Sequence, residues 1–434
     1  MRRRHAFAVL VLASLGLGCG SEEQPGETQP APAQQAPAAR PAPAPSGALA
    51  AAPPAAADLP RGLLLALSAF GEDAQGKPVP RSELVILVRE GGAWRSESLA
   101  DPESNVFHKA MVFDLPGRGP GILTLGGSAA IVKHWRKGAA GLEAKSLWQE
   151  DFGGKFSRMR DAEAADLYGD GRVALAVVTH DQGVVAMLRP AADGSVAVAK
   201  LDAEKDTFVH EAEVGDLDGD GALEVYATPS EPNKLDGKPQ PGKVVRYVPA
   251  KGEGRQVVAD LGDRHAKEIL VGDVDGDGRD ELYVSIEAVA GGKVEIRRYD
   301  AGTDPGAGAP IASLDDSMCR FLSAGDFDGD GKRELVAAAK DTGVWLLRPG
   351  ADPRGAWRVE AVDRNSKGFE HAALAADLDG DGTDELYVAS DDDRELRRYV
   401  WVDGKPARET IYARPDPSPI FTWNLMPVPV ELVR

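Results

Sequence analysis

Four segments of the chain repeat one nine-residue pattern, D-x-D-G-D-G-x-x-E, at 216–224, 273–281, 326–334 and 377–385. Carboxylates stand at positions 1, 3, 5 and 9, and glycine at positions 4 and 6 permits a tight reversal. Four like charges this close repel one another unless a cation sits among them. Hard oxygen donors on a flexible loop suit Ca²⁺, which takes ~6–8 oxygens. The carboxylate sets are Asp216, Asp218, Asp220 and Glu224; Asp273, Asp275, Asp277 and Glu281; Asp326, Asp328, Asp330 and Glu334; and Asp377, Asp379, Asp381 and Glu385. The position-7 carbonyls of Ala222, Arg279, Lys332 and Thr383, with water, complete the expected shells of about four ions. An EF-hand begins in the same way but needs a glutamate at position 12 and flanking helices. Position 12 here is Ala227, Val284, Ala337 or Val388, each inside an apolar run, which argues against that motif.

Two further copies are incomplete. The copy at 166 has Tyr168 at position 3 and Ala174 at position 9, and the copy at 114 keeps the turn but loses the acids, so neither presents the donor set. A second constellation has a fixed offset from the first. Six residues before each leading aspartate stand His108, Arg160, His210, Lys267, Arg320 and His371, all basic or imidazole. Such a ring could hold an anionic group, a carboxylate, sulfate or phosphate. Pairing with neighbouring acids such as Glu211, Glu268 and Glu370 is the plainer explanation of the same residues.

The elements that must position these groups are short strands. The leading aspartates fall at 114, 166, 216, 273, 326 and 377, at intervals of 50 to 57 residues. Between Asp216 and Asp273 lie four β-rich runs, Leu223–Thr228, Val244–Val248, Gln256–Ala259 and Glu268–Gly272, separated by Pro, Gly, Asp and Asn clusters. No segment of the body shows helical periodicity. Four strands per repeat is the content of one propeller blade. Innermost strands are expected to start near 107, 159, 209, 266, 319 and 369, each running into its acidic turn. The segments left over are Ile420–Val428 at one end and Leu63–Phe70, Leu84–Arg89 and Trp94–Leu99 at the other, which together make one more blade. The expectation is therefore an all-β, seven-bladed β-propeller of four-stranded blades, closed by pairing the C-terminal strand with the N-terminal strands, a closure that leaves no open edge in the ring. Two long connections, 70–82 and 229–242, are expected to project as recognition loops.

With these residues in view, the repeats resemble the FG-GAP/VCBS repeat family, the repeats of integrin-α-like propellers and many bacterial surface proteins. The resemblance covers about 60–434 and rests on the D-x-D-G-D-G core. It implies a seven-bladed propeller with Ca²⁺ between the first and second strands of some blades. Position 9 is commonly aspartate in that family; all four intact copies here carry glutamate.

The N-terminus reads as an address. Arg2, Arg3 and Arg4 precede a short apolar run that ends at Cys19, too short to span a membrane stably. This resembles a bacterial lipoprotein signal, which implies a cleaved segment 1–18 and lipidation of Cys19. Leu15 and Leu17 flank Gly16, where such signals usually place a leucine. Residues 19–58 are rich in Pro, Ala and Gln with almost no large apolar residue, the composition of a disordered tether. The folded body is then 59–434. Gly20 after the cysteine favours the outer membrane by analogy with known bacterial sorting.

Composition narrows the partners. The 434 residues hold 50 Lys and Arg against 69 Asp and Glu, a formal charge of −19, which becomes −22 when three arginines leave with residues 1–18. Nucleic acid wants a basic surface, and so does adhesion to anionic lipid, so the only membrane contact expected is through the anchor. The acids of the four intact loops nearly account for the excess, so they read as uncompensated ion sites. Two cysteines exclude a disulfide framework, and Cys319 reads as a buried small hydrophobe. H-E-x-x-H, G-x-S-x-G and glycine-rich phosphate loops are absent from the sequence. The expected function is non-catalytic binding of a protein or glycan at a bacterial envelope. A carbohydrate-active lyase or dehydratase working at the channel mouth, or a structural surface component, are the alternatives.

Overall fold

The computed structural model describes residues 50–51, 58–139, 141–154, 156–232 and 237–434. Residues 1–18, read as a signal, Cys19 and most of the segment read as a tether lie outside them.

Seven antiparallel sheets stand around one axis as blades, each with its first strand innermost. Blade 1 is composite. Its innermost strand is Ile420–Pro429, followed outward by Arg61–Glu72, Pro78–Glu90 and Ala93–Leu99. The ring is closed where Leu65 pairs with Leu425 and Gly62 with Val428, as the leftover strands predicted. Blades 2 to 7 follow in chain order, with innermost strands Ser104–Leu115, Met159–Ala165, Phe208–Gly215, Ala266–Gly272, Cys319–Gly325 and Ala373–Ala376. The last begins four residues later than expected. Ala50–Ala51, within the segment read as tether, pair in parallel with Ala407 and Arg408 on the outer edge of blade 7. Helical structure among the described residues is limited to two three-residue 3₁₀ turns.

The second strand of each blade explains why the chain folds this way. Glu224–Ser230, Glu281–Ile286, Glu334–Ala339 and Glu385–Ser390 are buried along their whole length, and alternate residues face the two neighbouring blades. In blade 3, Leu175 and Val177 pack toward blade 2, whereas Ala174, Ala176 and Val178 pack toward blade 4. The apolar core is accordingly divided into seven clusters, one per interface between blades. At about 25 cal/mol per Å² of apolar area removed from water, this stacking is the dominant favourable term.

The 70–82 connection is shorter than expected. Phe70 pairs with Pro80 and Glu72 with Pro78, so the ladder runs almost to the tip. The Asp73 carboxylate accepts the Gln75 and Lys77 N–H groups, which stabilises a tight turn in place of a long loop.

Candidate metal loops and channel site

Each acidic loop links the innermost strand of its blade to the second. Its position-1 carboxylate organises the backbone. Asp326 accepts the N–H groups of Asp330 at 3.1 Å and Gly331 at 2.9 Å, and Asp216 accepts those of Asp220 and Gly221 at 3.0 and 2.9 Å. Position 5 caps position 7: Asp277 accepts Arg279 N–H at 2.9 Å and Asp381 accepts Thr383 N–H at 2.8 Å. Gly329 and Gly331 take φ of 71° and 83°, a region that disfavours side chains. The apolar residue at position 2 anchors the loop, since Leu217, Val274, Phe327 and Leu378 are buried in the interface with the next blade.

These contacts bring carboxylate oxygens together. One oxygen from each of Asp273, Asp275, Asp277 and Glu281 lies within 4.8 Å of all the others. The same holds for Asp216, Asp218 and Asp220, for Asp326, Asp328 and Asp330, and for Asp377, Asp379 and Glu385. Glu224, Glu334 and Asp381 stand outside these groupings. The position-9 glutamates have other partners. Glu224 and Glu385 accept the N–H of position 2, from Leu217 at 3.0 Å and Leu378 at 2.9 Å, and Glu281 and Glu385 accept the hydroxyls of Tyr283 and Tyr387 at 2.9 and 3.0 Å. Burial pushes the carboxyls of Glu281, Glu334 and Glu385 up to about 7.

Sequence reasoning missed the counter-charge. An arginine from the third strand of each of these blades reaches positions 3 and 9 together. Arg246 bonds Asp218 at 3.0 Å and also Glu224; Arg298 bonds Asp275 at 2.5 Å and Glu281 at 3.1 Å. Arg348 bonds Asp328 at 2.8 Å and also Glu334; Arg398 bonds Asp379 at 3.0 Å and Glu385 at 2.5 Å. The loops are therefore not uncompensated, because half of each carboxylate set has a built-in cation. The residual charge lies at position 1 and, outside the first loop, where Lys251 pairs with Asp220, at position 5. Acids at position 8 serve the ring instead: Asp280 accepts Asp216 N–H at 2.9 Å and Asp384 accepts Asp326 N–H at 3.0 Å, each from the preceding blade.

The basic residues upstream meet on the channel axis by a different device. In blades 1 to 6 the pairing of the innermost strand slips near its start, passing over Trp423, His108, Arg160, His210 with Glu211, Lys267 and Arg320. A bulge leaves its extra residue out of the ladder and re-aims its side chain. Arg160 of blade 3 reaches Glu370, just ahead of blade 7, at 3.5 Å, and so crosses the channel. Arg320 bonds Glu370 at 2.6 Å and Glu287 at 2.8 Å, and Arg160 donates to His210 Nδ1 at 3.4 Å. His371 is not with them. It sits in a turn at φ 60°, with Nδ1 2.7 Å from the Ala339 carbonyl and Nε2 2.7 Å from Ser366 Oγ, because the late start of its strand turns Glu370 to the axis instead. The ring is buried rather than solvated. Glu370 pairs with the ring as the neighbouring-acid reading expected; His180, Glu287 and Trp423 were not singled out from the sequence, and Trp423 follows from carrying the strand register into Ile420–Pro429.

The end of the channel nearer the acidic loops has the opposite chemistry. A cavity of about 310 Å³ is lined by Lys109, Glu163, Glu211, Glu213, Glu268 and Asn424 among others. Burial raises Glu211, Glu213 and Glu268 well above the usual carboxylate range. Burial opposes the charge on Lys109, yet Asp161 and Glu163 hold its ammonium well above its ordinary value. Cys319 is buried, and burial pushes its thiol up to about 12, the opposite of what a nucleophile needs.

An FG-GAP-like repeat is found twice in this chain, over residues 273–337 and 326–388. No curated relative matches the sequence. Among solved structures, a protein from Lactobacillus plantarum is 10% identical, with a TM-score of 0.51, over 85% of this chain and 99% of its own. A putative 6-phosphogluconolactonase from Bacteroides uniformis is 13% identical, with a TM-score of 0.51, over 85% and 100%. One from Bacteroides fragilis is 13% identical, with a TM-score of 0.47, over 85% and 98%. At these identities the likeness concerns the fold.

Proposed function

We propose that the chain is a calcium-stabilised propeller that binds a protein or glycan without turning it over, and that lipid on Cys19 tethers it to a bacterial envelope, the outer membrane by preference. The observation that carries the calcium reading is the convergence of carboxylate oxygens within 4.8 Å at four successive loops. The donor chemistry fits: positions 1 and 3, joined by position 5 or 9, supply hard oxygens, and the position-7 carbonyl and water remain available to complete a shell. A bound ion neutralises the charge that the arginines leave over and ties the innermost strand to the second. The role is structural, and recognition is left to the channel and the connections above it.

Melting of the mature protein with and without a chelator, followed by calcium titration, tests this. Each site held at a hundred times its Kd adds about 2.7 kcal/mol. The midpoint should fall by more than about 10 °C on chelation, with about four ions bound at saturation. An unmoved midpoint overturns the calcium reading. The anchor is tested separately, since Cys19→Ser should move the protein from the membrane fraction to the soluble one. The same fractionation for wild type and variant sinks the lipid tether.

A further inference from the structure

We propose that the basic end of the channel is a binding site for an oxyanion, the carboxylate, sulfate or phosphate group of a ligand, held by Lys267, Arg320 and His210. This deepens the binding-module reading by naming the chemistry of what is bound, and it rests on that reading only for the identity of the larger ligand.

The first ground is unsatisfied donors. Lys267, His210 and Arg320 are 1, 3 and 4% exposed. The ammonium of Lys267, Nε2 of His210 and Nη2 of Arg320 have no hydrogen-bond partner. Buried polar groups are ordinarily paired, and an unpaired buried cation is among the costliest exceptions. Three such donors in one place mark a missing acceptor.

The second ground is charge. The three cations Arg160, Lys267 and Arg320 face two carboxylates. Glu370 is shared between Arg160 and Arg320, and Glu287 between Arg320 and His265, the latter at 3.0 Å. Although burial opposes it, Arg320, Lys267 and His265 hold Glu287 well below the usual carboxylate range. Neither acid hydrogen-bonds Lys267, so the site carries an unneutralised positive charge. Lysine and arginine offer donors and no acceptors, which excludes a cation as the occupant and suits a group with several lone pairs.

The third ground is preorganisation. Arg320 lies 4.4 Å from the ring centre of Phe369, and Arg160 lies 5.0 Å from that of Trp423. Both aromatic rings are partly exposed, and each holds a guanidinium in place by its face. An oxyanion arriving there meets donors already in place, with little ordering cost.

Protonation sets the expected pH dependence. The groups facing Lys267 are Arg320, Arg160, Glu287, Glu370, His180, His210 and His265. Burial, reinforced by Arg320 and Arg160, brings the Lys267 ammonium down to about 7. An anion binds the protonated form, so affinity should fall roughly tenfold per pH unit above that value.

The test uses the mature, calcium-loaded protein and inorganic sulfate as the probe, with chloride at equal ionic strength as the control. Sulfate should raise the melting midpoint and change tryptophan fluorescence saturably, through Trp423, while chloride does neither. Phosphate and acetate in parallel separate a tetrahedral from a carboxylate preference. Lys267→Met should fold, keep its calcium response, lose at least tenfold in sulfate affinity and lose the pH dependence; Lys267→Gln is the second variant should the first misfold. Absence of a saturable sulfate effect in the wild type, or its survival in both variants, overturns the proposal. A calcium response that fails while sulfate binds sinks the calcium reading and leaves this one standing.

Discussion

The loops at Asp166 and Asp326 occupy equivalent places in blades 3 and 6, and both fold in the same way. Asp166 accepts the N–H groups of Asp170 and Gly171 at 3.0 and 2.8 Å, as Asp326 accepts those of Asp330 and Gly331. Both have an arginine from the third strand alongside. In blade 6, Arg348 spans Asp328 and Glu334. In blade 3, Arg189 lies 4.1 Å from the ring centre of Tyr168 and pairs with Asp170 at 2.5 Å. Shaping the turn is thus the work of positions 1 and 5, and neither task requires a metal. Positions 3 and 9 are where the two loops part, and there the arginine keeps its place while its partner changes from two acids to an aromatic face.

The severest break in that comparison is removal of the leading aspartate. Asp326→Ala loses both the backbone hydrogen bonds and an ion, and should cost about 3–5 kcal/mol in calcium, with one fewer ion by calorimetry. Asp166→Ala loses only hydrogen bonds, about 1–2 kcal/mol, with the ion count unchanged. Equal losses would mean that the two loops do not differ in metal. Next come the arginines. Arg348→Met leaves the buried Glu334 and the exposed Asp328 without their cation and should destabilise the calcium-free protein by about 1–3 kcal/mol while enlarging the gain on adding calcium. Arg189→Met should cost about 0.5–1 kcal/mol and leave the calcium gain alone. A conversion sharpens the contrast: Tyr168→Asp with Ala174→Glu should add one ion to the titration and little stability without it. If the count stays put, positions 3 and 9 are not what separates the loops.

The smallest effect concerns the channel. The Lys267 ammonium is depressed in the folded chain and ordinary in the unfolded one. Between about 7 and 10 the unfolded chain holds a proton that the native state lacks, so stability contributed by this group rises with pH there. In chloride, Lys267→Met should therefore stabilise most below pH 7, with the advantage fading toward pH 10. Denaturant midpoints across that range check it, and a gain that grows with pH would contradict the burial argument.

The blade count was legible because one short motif fixes a register, and six copies counted from their leading aspartates leave a unique set of unpaired strands. The donor sets were legible because they are contiguous. The arginine partners were not, since they come from third strands that follow loops of unequal length. Arg246 follows Glu224 by 22 residues, whereas Arg398 follows Glu385 by 13. Only the ladders, such as Tyr226 with Arg246 and Tyr387 with Arg398, equalise the distances. A signal was present in the Arg-Tyr pairs at 246, 298 and 398. The spacing rule placed His371 in the ring because a fixed offset takes no account of a strand that starts late. The rule also says nothing of burial, and Arg160, His210, Lys267 and Arg320 are all buried.

The composite blade has a consequence in time. Synthesis proceeds from the N-terminus, so Arg61–Glu72 emerges ahead of blades 2 to 7, yet its inner neighbour, Ile420–Pro429, follows all of them. Until then a long apolar strand waits with one side bare, and no intermediate of six blades can complete the circle. Whatever shields that edge during production must hold on until Ile420–Pro429 arrives.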